Sequence, residues 1–226
     1  MLNNFIELNF DIVAVNRKDF LVQNRHHTKL GKHYDIMDLE KIRKSLKAAA
    51  NEKVKLSFEK FIPSAKKVYG VKVAVLNNIA GEIKEIDFDL IEKLWEGGLF
   101  EEQLLAVKIL GNFANKDPER TIKIVEKFSR DISNWAVCDT LATQGIRKIA
   151  KDKQKEIFAL SKKYISSKNL WQRRFAIVLL LELNRCGFDK KETKKLLEKV
   201  KGDKEPYIKK AIIWLNKELN ENKDRE

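Results

Sequence analysis

Proline and glycine are so scarce in this chain that a fold built from many strands and tight turns is excluded. Three Pro and nine Gly punctuate 226 residues in which Lys, Glu, Leu, Ile and Ala are abundant. These are strong helix formers, and apolar residues recur at helical spacing from Asp38 onward. The expectation is an all-α protein. Helices are predicted at 38–50, 53–67, 71–84, 87–96, 101–115, 118–130, 134–148, 152–165, 169–185, 189–200 and 205–221. Asp117-Pro118 and Glu205-Pro206 supply helix starts, and Gly97-Gly98, Gly187 and Gly202 stand where helices stop.

The links between these segments are short, which makes neighbouring helices antiparallel. Trp135 and Trp171 lie 36 residues apart and Trp171 and Trp214 lie 43 apart, near the period of roughly 40 to 47 of two-helix HEAT or armadillo units. The expected architecture is an α-α superhelix, a HEAT/ARM-like solenoid of antiparallel helix pairs. In such a stack one helix of each pair lines a concave face, and residues distant in sequence share one groove.

Residues 1–36 differ from the rest. Phe5 to Val15 partly alternates, and His26, His27 and His33, the three histidines of the chain, all fall there. No acid or cysteine stands at ligand spacing from them, so no metal site is expected. The segment is read as a flexible or loosely docked extension, and 37–226 as the helical domain. Cys138 and Cys186 are far apart and form no disulfide framework or zinc motif. No window is long and apolar enough to span a membrane, and Glu7 and Asp11 interrupt any signal-like run. A cytoplasmic protein is expected, nucleoid-associated when bound to DNA.

Forty-six Lys plus Arg against thirty-three Asp plus Glu give a formal charge of +13. Such a field attracts polyanions, with nucleic acid the leading partner. Against this stands a simpler reading, in which the lysine excess serves solubility or heat stability.

Trp135 and Asp139 are spaced to share one helical face, and two later segments, Trp171-Gln172-Arg173-Arg174 and Lys209-Lys210-Ala211-Ile212-Ile213-Trp214, set Trp beside cations. On the residues alone, Trp135 and Asp139 are as well explained by a packing anchor with an acid near a helix start. Arg174 is equally suited to pairing with a buried carboxylate between repeats. Trp95 and Trp171 are assigned to packing.

These stretches carry a resemblance. Leu94-Trp95-Glu96 with Glu101 to Leu110, Asn134 to Asp139, Ser167 to Ile177 and Lys204 to Trp214, in that order, resemble the HEAT-like DNA alkylation repair glycosylases of the AlkD type. The similarity spans about 37–219. It implies excision of N3- or N7-alkylated purines from duplex DNA, with Trp135, Asp139, Arg174 and Trp214 lining the cleft that faces the lesion and Phe61 matching an aromatic on the second helix. An alkylated purine already carries positive charge, so it leaves without a general acid and one carboxylate suffices. Asp139 would stabilise the oxocarbenium-like sugar and orient water. Trp135 and Trp214 would face the cationic nucleotide, and Arg174 would hold a phosphate. Arg173, Lys209, Lys210 and Lys217 are candidate DNA contacts, with Arg173 equally readable as a surface charge. The resemblance implies no metal or other cofactor, and one concave face serves DNA as a monomer. The family often places a second acid directly after the first Trp, where this chain has Ala136. The alternative function is a non-catalytic HEAT-repeat module binding damaged or structured DNA. A protein-binding scaffold is the third.

Overall fold

The computed structural model of the protein describes residues 38–65 and 67–221. The extension 1–36 and its histidines lie outside the described residues. Eleven α-helices and no strand are present among the described residues: α1 (Leu39–Ala48), α2 (Glu52–Phe61), α3 (Val73–Glu82), α4 (Phe88–Glu96), α5 (Phe100–Phe113), α6 (Pro118–Phe128), α7 (Trp135–Thr143), α8 (Gln154–Tyr164), α9 (Leu170–Arg185), α10 (Lys190–Leu197) and α11 (Pro206–Glu221). The fold is all-α, and its helices pack as a solenoid.

Asn and Asp begin most of these helices for one reason. A short side-chain oxygen accepts an N–H of the first turn that has no carbonyl partner within the helix. Asp38, Asn51, Asp87, Asp117, Asn134, Asn169 and Asp189 all do this.

Two expected helices end early. The helix predicted over 53–67 stops at Phe61, because the residue before Pro63 is forced out of the α region; Ile62 sits at φ −130°, ψ 63°. The helix predicted over 134–148 stops at Thr143 and continues as turns. There α5 and the chain after α7 touch backbone to backbone: a Cβ on Gly111 would lie 2.2 Å from the Gln144 carbonyl oxygen. Only glycine permits that approach.

The helices form two layers. The odd-numbered helices α3, α5, α7, α9 and α11 pack in sequence order, each against the next, while α4 and α8 pack against α5 and α9, and α6 meets α8. The layer of odd-numbered helices is the core. All nine residues of α7 are buried, as are Phe100 to Gly111 in α5 and Arg174 to Asn184 in α9. The even-numbered helices are amphipathic and show their charged sides to solvent. Trp95 stacks on Phe128 across α4 and α6, with ring centroids 4.1 Å apart and 3° between planes, so its assignment to packing holds.

Polar contacts between successive units give the repeat length. Lys127 bonds Glu92, 35 residues away; Trp95 bonds Asp131 across 36; Lys163 bonds Glu126 across 37. The units therefore recur every 35 to 37 residues, shorter than the roughly 40 to 47 of the expected HEAT or armadillo units. The 36 residues from Trp135 to Trp171 match this repeat, whereas the 43 to Trp214 do not, because Trp135 and Trp171 lie in the first turns of α7 and α9 and Trp214 lies in the middle of α11.

Candidate nucleic-acid site

Equivalent caps set the site's register. Asn134 caps α7 by accepting the Val137 N–H at 2.9 Å, and Asn169 caps α9 by accepting the Trp171 N–H at 2.8 Å. Asp139 and Arg174 each stand five residues beyond their cap, one repeat apart. Adjacent helices in register therefore bring them face to face. Arg174 Nε donates to Asp139 Oδ1 at 2.8 Å and Nη2 donates to Oδ2 at 2.7 Å. The third direction is also occupied, since Arg174 Nη1 donates to the Tyr207 carbonyl of α11 at 2.5 Å. The side chains are 4% and 0% exposed.

Burial pushes the Asp139 carboxyl above the usual carboxylate range, against the pull of Arg174. Burial also works against the Arg174 charge, but the carboxylate and its hydrogen bonds outweigh it and raise the guanidinium further. The bidentate geometry is that of an ionised pair. Neighbouring Cys138 is sealed, with its thiol pushed well up, first by burial and then by Asp139. It is no nucleophile.

The expected residues are brought together only in part. Asp139 and Arg174 meet. Trp135 is buried at the start of α7, its indole N–H directed to the Phe61 carbonyl at 3.3 Å, so Phe61 enters the site through its backbone, while its half-buried ring lies under Lys60 at 5.5 Å. Trp214 is half-buried two turns beyond Tyr207 on α11, where the Arg185 guanidinium lies 5.8 Å from the ring centroid. Lys209, Lys210 and Lys217 are exposed on the same helix.

Two arginines expected to meet DNA have partners within the protein in this structure. Arg174 was expected to grip a phosphate, but its donors are turned to Asp139 and Tyr207 and its guanidinium is sealed. Arg173 was expected at a phosphate or in solvent; instead Nε bonds Asp203 at 2.7 Å and Nη1 bonds the Ser167 and Lys168 carbonyls. In both cases a guanidinium fork meets acceptors already supplied by the fold. Trp171 is packed, as expected, yet half-buried rather than enclosed. Its ring lies 4.9 Å from that of Tyr207, tilted by 51°. Tyr207, whose carbonyl accepts from Arg174, thus pairs its ring with Trp171, and Tyr207 is absent from the expected site residues. The available signal was its place one residue after the Pro206 that opens α11.

A row of polar contacts at the far ends of the core helices was also missed. Lys108 of α5 bonds Gln144 at 3.0 Å, Arg147 bonds Glu182 of α9 at 3.2 Å, and Arg185 of α9 bonds Glu218 of α11 at 2.9 Å. Each rung ties one unit to the next across 33 to 36 residues. The signal is a cation recurring at 108, 147 and 185, visible once a repeat near 35 to 39 residues is assumed.

Among the described residues no cluster of His, Cys, Asp and Glu has the makings of a metal site, and no helix is long and apolar enough to cross a membrane. No curated protein matches the chain. Residues 42–225, which include every core helix, match the model of the family described as "DNA alkylation repair enzyme", and the chain belongs to that family.

Proposed function

We propose that the protein is a DNA glycosylase that hydrolyses the N-glycosidic bond of cationic N3- or N7-alkylated purines in duplex DNA. The observation that carries this reading is the Asp139–Arg174 pair, buried and bidentate on two core helices of a DNA alkylation repair protein. Bond cleavage sends away a neutral base and leaves a cationic, planar oxocarbenium-like sugar. A carboxylate that already holds a planar delocalised cation is suited to stabilise it and to orient the attacking water. Because the lesion brings its own positive charge, the reaction needs neither metal nor other cofactor.

Asp139 reaches a sugar only when Arg174 leaves it. A backbone phosphate offers the same fork of oxygens that the carboxylate does. Substrate binding therefore exchanges the guanidinium from Asp139 to phosphate, freeing the carboxylate for the sugar. Half-buried Trp214, Trp171 and Tyr207 supply ring faces beside the cationic nucleotide, worth about 0.5–2 kcal/mol each. Trp135 holds the start of α7 in place. Lys209, Lys210, Lys217 and the other cations of a chain with charge +13 draw in the duplex. One such face needs one subunit.

The test is release of 3-methyladenine or 7-methylguanine from methylated duplex DNA by the purified chain. Asp139→Asn abolishes release and largely keeps DNA binding; equal release by the Asn variant removes Asp139 from the mechanism. The second reading, a non-catalytic module for damaged or structured DNA, is favoured by one observation, the complete enclosure of Asp139. It predicts salt-sensitive binding with no base released by the wild type.

A further inference from the structure

The rungs between core helices share a rule with one exception. Arg174 meets Asp139, Arg147 meets Glu182, and Arg185 meets Glu218, so in each a cation faces a carboxylate. At the first rung Lys108 donates instead to the neutral amide oxygen of Gln144. Lys108 is only 5% exposed, yet it forms no ion pair among the described residues. The charge that acts on it most directly has the same sign, since Glu182 is taken up by Arg147. Arg147 repels it, and Lys148 donates to the carbonyl of Asn112, one turn beyond Lys108 on α5. A buried ammonium without a countercharge is costly, and burial, then Arg147, hold its pKa down to about 8. Arg147 and Lys148 are exposed, so this corner has an open side.

We propose that Lys108, Arg147 and Lys148 form a phosphate subsite that holds a backbone phosphodiester of nucleic acid. It lies beyond the C-terminal end of α7, more than a helical turn from Asp139, and is separate from the Asp139–Arg174 pair. A phosphodiester supplies the anion that the first rung lacks. It rests on the DNA-binding part of the reading above and not on base excision. Because the subsite touches backbone only, it serves any duplex and fixes register without reading sequence.

Binding of the full chain to unmodified duplex DNA, followed by fluorescence anisotropy across a salt series, tests it. Lys108→Gln and Lys148→Gln each lower the slope of log K against log salt by about 0.9, the change for one lost phosphate contact on duplex DNA. Lys108→Arg keeps the wild-type slope. Thermal unfolding of Lys108→Gln separates function from structure: removing a buried unpaired charge leaves the midpoint unchanged or higher while binding weakens. A salt slope unchanged in both Gln variants overturns the subsite and leaves the glycosylase reading intact. Absence of duplex binding by the wild type overturns both. If Lys108→Gln fails to fold, exposed Lys148 decides alone. A lowered slope together with no base release by the wild type keeps the subsite and sinks the glycosylase.

Discussion

Two places in this protein hide carboxylates completely and bind one of them to an arginine fork, yet they differ in what else holds the acid. At the start of α5, Glu101 accepts the backbone N–H groups of Tyr69, Gly70 and Val71 at 2.9, 2.7 and 3.0 Å. Next to it, Glu102 takes Arg43 of α1 through both oxygens at 2.9 Å and the Tyr69 hydroxyl at 2.8 Å. The two acids thereby fasten α1 and the 69–71 segment to α5, where Gly70 turns at φ 85°. Every partner there is a piece of chain that needs anchoring. Burial pushes the Tyr69 hydroxyl up to about 12, with the Glu102 bond adding to it. In the Asp139–Arg174 pair no backbone N–H holds the carboxylate; the two side chains hold each other, beside the half-buried rings of Trp171 and Tyr207. The lesson is that burial and a bidentate arginine do not by themselves mark a functional acid. Glu101, anchored by three backbone N–H groups, and Glu102, held by a guanidinium and a hydroxyl at once, have less freedom to change partners than an acid held by a single side chain.

The widest separation between the two regions comes from the same chemical change made in each. Asp139→Asn strands the buried Arg174 guanidinium and costs about 3–5 kcal/mol of stability, whereas Glu102→Gln leaves the part-exposed Arg43 to water and costs less, both measured by urea unfolding. Only Asp139→Asn also removes base release, by about 100-fold or more per folded molecule. Equal loss of release per folded molecule in both variants would erase the distinction drawn here.

Lys108 is the converse case, a buried cation with no acid partner among the described residues. Its folded pKa of about 8 lies below the ordinary lysine value of 10.5, so the unfolded chain binds more protons between those values. Stability therefore rises as pH climbs from about 8 to 10.5, by up to ~3 kcal/mol. In Lys108→Met this increment is absent, and the difference between variant and wild-type urea midpoints is largest near neutral pH and shrinks above pH 10. A difference independent of pH would show that Lys108 is solvated.

The smallest effect belongs to exposed Lys209 on α11. Lys209→Gln changes stability by no more than ~0.5 kcal/mol and lowers the DNA salt slope by about 0.9 if it contacts one phosphate. An unchanged slope would put this face of α11 outside the DNA contact.

Much of this was legible along the chain. Eleven helices were expected and eleven stand among the described residues, because caps such as Asp117-Pro118 and helical periodicity act within a few residues. The overlong ends at 62–67 and 144–148 failed for different reasons. Pro63 was present to be weighed, but the glycine contact between Gly111 and Gln144 exists only once α5 and α7 cross. Asp139 and Arg174 could be picked out from their segments, and pairing with a buried carboxylate was one of the readings open for Arg174.

What the sequence determined by itself is therefore local: helix starts, helix count and the basic balance, since each depends on residues within a turn or two or on composition. The tertiary structure alone decided that Arg174 faces Asp139 rather than solvent, that Trp135 is buried at the start of α7, and that Lys108 meets no acid among the described residues. Those outcomes depend on which side chains a repeat of about 35 residues sets opposite one another, and a shift of one residue in that register rotates a side chain by about 100° around its helix.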